Sequence, residues 1–222
     1  MLSWGRVRRA VQPLVLRYWL NQRSEMSVKT RVEGFELEVF PTVFHPRYFG
    51  SSSILARFVA SLPLAGRSLL DVGCGSGLIG MCAARAGAVV TAVDINPEAV
   101  RCSLTNAERN GLRINVRVSD LFSAIAEDQF DIVACNPPFL PRQPRSPADA
   151  AFYAGPEFEV ISRLAAGARN HLRAGGAIYV ILSSDIDIPR IEQIFRERHF
   201  TISRVFTTRW LLRETMIILC AR

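Results

Sequence analysis

The fold of this chain is decided by the stretch Ser68-Leu69-Leu70-Asp71-Val72-Gly73-Cys74-Gly75-Ser76-Gly77. Its apolar first half predicts a buried strand, and its closely spaced glycines predict a tight turn. The following residues, 78–87, are apolar and rich in alanine, which predicts a helix. A strand, a glycine turn and a helix in this order are typical of an open α/β sheet. Such sheets bind ligands at the carboxyl ends of their strands.

The glycine turn is compatible with two classes of ligand. Gly75, Gly77 and Gly80 form a G-x-G-x-x-G, which is the fingerprint of dinucleotide sites. Asp71 followed by Gly73, Gly75 and Gly77 instead forms the pattern of S-adenosylmethionine sites. An acidic residue suits the ammonium and sulfonium of that ligand and opposes a pyrophosphate, so charge complementarity favours the methyl donor. The predicted donor contacts in this turn are Asp71, Gly73, Cys74, Gly75 and Gly77.

The next two predicted strands also end in acidic residues. The second strand is followed by Asp94 and Ile95, and a carboxylate at this position can hold both ribose hydroxyls of either ligand. The third strand runs into Asp120, Leu121 and Phe122. We expect Asp120 to accept from an adenine amino group, with Leu121 or Phe122 beside the ring. Asp120 alone is equally compatible with a helix N-cap.

A fourth predicted strand, residues 130–135, is followed by Asn136-Pro137-Pro138-Phe139. The prolines lack N–H groups, so the strand ends there and a stiff extended loop follows. An amide oxygen, free backbone carbonyls and an aromatic ring together suit a planar amino group. We therefore predict that Asn136, Pro137, Pro138 and Phe139 form the acceptor half of a two-substrate site, with Asn136 also near the donor.

On these motifs the chain resembles the class I S-adenosylmethionine-dependent methyltransferases over residues 30–222. The Asn-Pro-Pro-aromatic motif is similar to that of members which methylate planar nitrogens: adenine N6, guanine N2 or a glutamine amide. The resemblance implies an α/β fold with a seven-stranded, mostly parallel Rossmann-like sheet. Residues 201–210 and 213–220 read as two consecutive closing strands, which implies an antiparallel C-terminal strand. An N-terminal helix and a β-hairpin would precede the sheet.

The segment before the glycine turn resembles the entry of HemK-type glutamine methyltransferases, which modify translation release factors. Residues 32–39 alternate as a hairpin would, and Val43-Phe44-His45-Pro46-Arg47 follows. The resemblance implies that Phe44, His45 and Arg47 cover the acceptor pocket together with Phe139. Where that family usually continues with an acidic, threonine-containing run, this chain has 48–53, which ends in three serines. Where that family mostly has tyrosine, it has Phe139.

Three functions follow from these patterns. The first is methylation of a release-factor glutamine, and the second is methylation of an rRNA, tRNA or DNA base at adenine N6 or guanine N2. The third is a non-catalytic dinucleotide-binding module that uses the other interpretation of the glycine turn. The expected organisation is a basic helical extension over residues 1–29, a hairpin and substrate-entry segment over 30–50, and a catalytic domain over 51–222.

Composition and charge bear on partners and compartment. The 222 residues carry a net charge of +7, which favours an anionic partner such as RNA or the ribosome. Residues 1–24 contain arginines and no acidic residue, which suits an RNA-contacting arm, a docking helix, a transit peptide or a packed helix. The five cysteines include no C-x-x-C pair, so buried thiols in a reducing cytoplasm are expected. We expect no metal site and no membrane span.

Overall fold

The computed structural model describes residues 26–125, 127–145, 149–209 and 215–222. An antiparallel hairpin, β1 (Val28–Val32) and β2 (Phe35–Val39), precedes a seven-stranded sheet. The sheet strands are β3 (Ser68–Val72), β4 (Val89–Asp94), β5 (Asn115–Val118), β6 (Phe130–Cys135), β7 (Leu172–Ser183), β8 (Ile202–Arg209) and β9 (Thr215–Ala221). The helices are α1 (Pro46–Phe49), α2 (Ser51–Ala60), α3 (Leu78–Arg85), α4 (Pro97–Arg109), α5 (Glu159–His171) and α6 (Ile188–Arg196).

The strand order is β5-β4-β3-β6-β7-β9-β8, and only β9 runs against its neighbours. The predicted seven-stranded, mostly parallel sheet with an antiparallel C-terminal strand is therefore confirmed. The last strand lies inside the sheet, while β8 forms the edge. Residues 216–221 of β9 are buried on both faces, whereas most of β8 is exposed, so burial of apolar surface explains this order.

Helices cover both faces of the sheet. The core on one face joins α2, α3, α4 and the hairpin, and the core on the other face joins α5 and α6. The chain progresses from β3 outward through β4 to β5, and then crosses to β6 on the other side of β3. Val72 pairs with Cys135, so the glycine turn and the Asn136 motif leave the sheet from adjacent strand ends. A reversal of strand order of this kind opens a ligand crevice.

Two asparagines, one within α4 and one that caps its C-terminal end, attach the hairpin to this core. Asn106 accepts from the backbone N–H of Glu38 at 2.8 Å and donates to its carbonyl at 3.2 Å. Asn110 makes the same pair of bonds with Glu36, at 3.1 and 2.9 Å. The two side chains stand four residues apart on one helix face and satisfy the free edge of β2 as a neighbouring strand would.

Several expectations about organisation can be placed on the fold. The hairpin begins at Val28, two residues before the segment predicted to start at residue 30. Residues 1–25 of the predicted basic extension lie outside the described part of the chain. All five cysteines are buried free thiols. Within the described residues, no helix is long and apolar enough to cross a membrane, and no cluster of metal-ligating side chains occurs.

Candidate active site

The glycine turn between β3 and α3 combines a packed position with an open one. Gly77, at φ +82°, lies so close to Ser103 that a Cβ would stand 2.5 Å from the Ser103 Oγ. Gly73, at φ +74°, has nothing within 4 Å of where its Cβ would be. The N–H groups of Gly73 and Cys74 both donate to Val93 O, at 2.8 and 3.0 Å, which ties the turn to β4. A ligand can therefore approach the backbone at Gly73, while Gly77 serves packing.

Asp71 lies beneath the turn and is fully buried. Its Oδ2 accepts from the Gly80 N–H of α3 at 2.9 Å, and its Oδ1 has no partner among the described residues. Burial raises the pKa of Asp71 to about 7, against the lowering effect of the Gly80 bond. Burial also raises the pKa of the Cys74 thiol, which is therefore neutral. The charge of Asp71 can attract a cation above the turn. Its hydrogen bond with the Gly80 N–H holds the turn to α3.

Asp94 bridges the glycine turn and the start of α4. Its Oδ2 accepts from the Gly75 N–H and its Oδ1 from the Asn96 N–H, both at 2.9 Å. Burial raises the pKa of Asp94, and these backbone bonds oppose that rise. Ile95, the next residue, is 59% exposed, so its side chain is available to a ligand at this edge. The structure thus brings Asp94 and Ile95 to the turn as predicted from the sequence.

Asp120 stands at the same edge, but its side chain is engaged at the surface. Its Oδ2 accepts from Arg163 of α5 at 2.7 Å. Phe122 does not face the edge, because it is buried in the core and its ring stacks on the His171 ring with centroids 4.6 Å apart. Of the two side chains predicted beside an adenine ring, the half-buried Leu121 is the available one. Its backbone is left-handed at φ +52°, an uncommon state for leucine.

Asn136 is held in place by the start of α2. Its Nδ2 donates to the Ser51 Oγ at 3.0 Å and to the Ser52 Oγ at 2.9 Å. Pro137 is buried, while Asn136, Pro138 and Phe139 are half-buried, so the motif keeps partial access to solvent. Phe139 packs against the core on the α5 face. The predicted acceptor motif is therefore a supported loop whose amide nitrogen already has its partners.

The entry segment reaches the acceptor side through Phe44. Its ring contacts the Phe152 ring with centroids 5.6 Å apart, which joins the entry segment to the loop after the motif. His45 is buried, and its Nδ1 accepts from the Arg47 N–H at 3.3 Å. Burial and the Arg47 charge lower the pKa of His45 to about 4, so its ring is neutral at pH 7. The Arg47 guanidinium donates to Thr30 Oγ1 of β1 at 3.5 Å.

The loop after the motif returns to the motif's own end. Leu140 donates its N–H to Phe152 O at 3.0 Å, and Ala154 donates its N–H to Leu140 O at 2.9 Å. Residues 146–148 of the proline-containing segment between these anchors lie outside the described part of the chain. The anchors place the described remainder beside Phe139.

Three side chains at this edge were not predicted from the sequence. Ser51 and Ser52 bind Asn136 from 85 and 84 residues away, and Phe152 meets Phe44. The serines do carry a signal, because they stand where HemK-type proteins usually have an acidic, threonine-containing run. Phe152 has no motif around it, so only its contact reveals it.

The chain matches a family model described as Methyltransferase small domain over residues 41–207. It is 33% identical over 159 residues to a Methanocaldococcus jannaschii protein with the provisional name protein N5-glutamine methyltransferase, covering 69% of this chain and 78% of that protein. It is 37% identical over 181 residues to the release factor glutamine methyltransferase of Koribacter versatilis, covering 74% and 63%. It is 32% identical over 150 residues to the ribosomal RNA small subunit methyltransferase C of Alcanivorax borkumensis, covering 66% and 42%.

A solved structure supports the same fold. The Thermus thermophilus 16S rRNA N2 G1207 methyltransferase, in complex with AdoMet and guanosine, superposes with a TM-score of 0.64 at 23% identity. The match covers 88% of this chain and 50% of that protein. Between the two interpretations of the glycine turn, the family match decides for the methyl donor. The chain belongs to the methyltransferase small domain family, and it is an S-adenosylmethionine-dependent N-methyltransferase.

Proposed function

We propose that this enzyme methylates the side-chain amide nitrogen of a glutamine in a translation release factor. The observation that carries the proposal is the orientation of Asn136. Its Nδ2 donates to both Ser51 and Ser52, which leaves the Oδ1 of this half-buried residue to accept from a substrate. A primary amide offers two N–H donors in one plane, and Asn136 Oδ1 with the Pro137 carbonyl would accept one each.

The donor half of the proposed site lies across the ends of β3, β4 and β5. The bound S-adenosylmethionine supplies an electrophilic methyl group on its sulfonium. Gly73 leaves open space above the turn, and the buried Asp71 carboxyl contributes negative charge beneath it. Asp94 would take the ribose hydroxyls on lone pairs that its two backbone bonds leave free. Asp120 Oδ1 and Leu121 would hold the adenine, while Ile95 covers the open side.

The acceptor half orients the reacting nitrogen. The lone pair of an amide nitrogen lies perpendicular to the amide plane, so oxygens that bind both N–H groups in that plane hold one flat face of the amide toward the donor. Phe139 covers the opposite flat face, and Phe44, supported by Phe152, closes the side of the pocket. The S–CH₃ bond breaks as the N–CH₃ bond forms, and the nitrogen then releases its proton to solvent, so the reaction rests on positioning rather than on a strong base. His45 is neutral and buried, which gives it a packing role.

Two of the relatives support a glutamine acceptor. The match to the M. jannaschii protein covers 78% of that protein, and the match to the K. versatilis enzyme extends over 181 residues. The hairpin and entry segment precede the glycine turn in the order typical of HemK-type proteins. A glutamine acceptor therefore has support from the geometry of the site and from these two relatives.

A transfer assay tests the proposal. Radiolabelled S-adenosylmethionine is supplied with purified release factors in one arm and with total ribosomal RNA in another. We expect label in the release factor, and loss of about 100-fold or more of that rate in Asn136→Ala, because the nitrogen loses its orientation. Calorimetry should show nearly unchanged donor affinity. Asn170→Ala, at an exposed position on α5, serves as the control with normal transfer.

A second acceptor class has a specific observation in its favour. A groove of about 500 Å³ between α2 and β8 is lined by Arg57, Phe58, Phe206 and Arg209, among others. Phe206 is 39% exposed, and aromatic faces beside guanidinium groups suit an unstacked base with its phosphate. This groove and the net charge of +7 support a nucleobase acceptor. Label in ribosomal RNA alone would establish that function in place of the first.

A further inference from the structure

The first turn of α2 is built around the side chain of Asn136. Ser51 and Ser52 are the first two residues of that helix, and both hydroxyls accept from Asn136 Nδ2, at 3.0 and 2.9 Å. Ser51 is 3% exposed, so its bond to Asn136 is shielded from water. No role is assigned to either serine by the family pattern, in which this run is usually acidic and contains threonine.

The geometry of an amide gives these bonds a directional consequence. An asparagine side chain has two N–H donors on one side and a carbonyl oxygen on the other. When two hydroxyls occupy the two donors, the oxygen is directed to the opposite side. An asparagine without such partners can turn about its last torsion, whose energy well is broad. The serines therefore remove a rotation that would present the wrong atom to the acceptor.

The support for the serines is itself rigid. Gly50 adopts a left-handed conformation at φ +65° that ends α1 and starts α2, and its carbonyl accepts from the Ile54 N–H at 3.0 Å. Most of α2 is buried against the sheet. Near its end, the Phe58 ring packs on the Tyr179 ring of β7 with centroids 5.3 Å apart. The hydroxyls are thus held by an element packed in the core rather than by a free loop.

We propose that Ser51 and Ser52 are positioning residues that lock the Asn136 amide with its oxygen toward the acceptor. The inference rests on the proposed function, because it assumes that Asn136 Oδ1 receives an N–H of the substrate. It adds a determinant that the motif alone lacks. The Asn-Pro-Pro-Phe tetrapeptide supplies the amide, and the start of α2 sets which of its two ends meets the substrate nitrogen.

The kinetic test uses the full chain with whichever acceptor the wild-type enzyme labels, release factor or ribosomal RNA. We expect the double variant Ser51→Ala/Ser52→Ala to lose about 10- to 100-fold in kcat, since a misoriented group costs roughly this much. Donor affinity in calorimetry should not change. The single variant Ser52→Thr keeps a hydroxyl at this position, so it should retain most of the wild-type kcat. Ser53→Ala, a neighbouring buried serine of the same helix, is the matched control with normal kcat.

A stability measurement tests the contact without any acceptor. The cost of Ser51→Ala/Ser52→Ala in urea unfolding is compared in the wild-type and Asn136→Ala backgrounds. A smaller cost in the Asn136→Ala background is expected, because the partner is already absent. Equal costs in the two backgrounds, or a normal kcat in the double serine variant, would overturn the inference. If the wild type labels neither acceptor, the proposed function fails, while the unfolding comparison still decides whether the serines bind Asn136.

Discussion

At the scale of single residues, the edge of the sheet separates into groups that hold the backbone and groups that remain open to ligands. Asp71 and Asp94 both accept hydrogen bonds from backbone N–H groups of the glycine turn region. The amide nitrogen of Asn136 donates to the hydroxyl oxygens of two serines. In each case a polar side chain secures the scaffold at the edge where we propose that the substrates bind. Preorganisation of this kind lowers the reorganisation needed for transfer.

The buried Asp71 carboxyl predicts a pH-dependent stability. Its pKa of about 7 in the folded chain exceeds its ordinary value of 3.8, so the folded state holds the proton more tightly. The associated stability is complete below about pH 4 and is lost as the pH rises through 7. Asp71→Asn keeps an oxygen for Gly80 and cannot ionise. We expect this variant to gain on the order of 3 kcal/mol relative to wild type between pH 4 and 8.

Urea unfolding of both proteins at several pH values, without donor, measures this difference. The pH dependence of all other groups cancels because the two chains differ at one side chain. A constant difference between the two proteins from pH 4 to pH 8 would contradict a raised pKa for Asp71.

The packed glycine predicts a second effect at this scale. Gly77→Ala places an alanine in a left-handed backbone conformation, at φ +82°. Its new Cβ would also stand 2.5 Å from the buried Ser103 Oγ. We expect a loss of about 2–4 kcal/mol of unfolding free energy, from strain and overpacking together. Gly66→Ala is the matched control, because Gly66 has a similar φ of +72° and nothing within 4 Å. Its loss should be about 1–2 kcal/mol. Equal losses would show that the Ser103 contact is unimportant.

At the scale of elements, the hairpin is bound to the donor side through α4. Asn106 is fully buried and bonds Glu38 of β2 on one side and the Ser76 carbonyl, at 3.0 Å, on the other. One side chain therefore links the substrate-entry segment to the glycine turn. Asn96 adds a second link, because its Nδ2 donates to Thr42 Oγ1 at 3.2 Å while its Oδ1 caps α4.

Removal of the Asn106 link should affect both stability and donor binding. We expect Asn106→Ala to cost about 2–4 kcal/mol of unfolding free energy, because buried backbone groups of Glu38 and Ser76 lose their partner. S-adenosylhomocysteine affinity should fall several-fold as the turn loosens. Asn110→Ala removes an equivalent pair of bonds at a more exposed place, so its cost should stay near 1 kcal/mol with normal affinity. A normal donor affinity in Asn106→Ala would separate the hairpin from the donor site.

At the scale of the whole molecule, the proposed donor and acceptor halves occupy the two sides of one reversal in strand order. β3, β4 and β5 carry the residues that we propose for the donor, while β6 and the start of α2 carry those that we propose for the acceptor. Variants on one side should therefore leave binding on the other side largely unchanged. Ligand-induced stabilisation reports this separation for the intact chain.

We expect S-adenosylhomocysteine at 100 times its Kd to raise the unfolding free energy by about 2.7 kcal/mol, seen as a higher Tm. NADH at the same concentration should give no shift, because the acidic residues at the turn oppose a pyrophosphate. Asn136→Ala should retain the full shift, and Gly73→Val, which fills the open space above the turn, should lose it. Stabilisation by NADH alone would remove the donor assignment.

From the sequence alone one could predict the sheet class, the position of the glycine turn and the four polar side chains at strand ends, Asp71, Asp94, Asp120 and Asn136. These features follow from local patterns: apolar runs, glycine spacing and proline stops act within a few residues of chain. Element boundaries agreed to within a few residues, as for β8, predicted over 201–210 and found at Ile202–Arg209.

The partners of those side chains depend on contacts between elements that are distant in the chain. Four arrangements join residues that are distant in the chain. They are the position of β9 between β7 and β8, the ion pair of Asp120 with Arg163, the bonds of two asparagines to the hairpin, and the bonds of two serines to Asn136. Such contacts depend on how buried surface and hydrogen-bond groups are shared among elements, and no local pattern encodes that sharing. The acceptor motif could be recognised from four residues, but the direction of its amide came from a helix that begins 85 residues earlier.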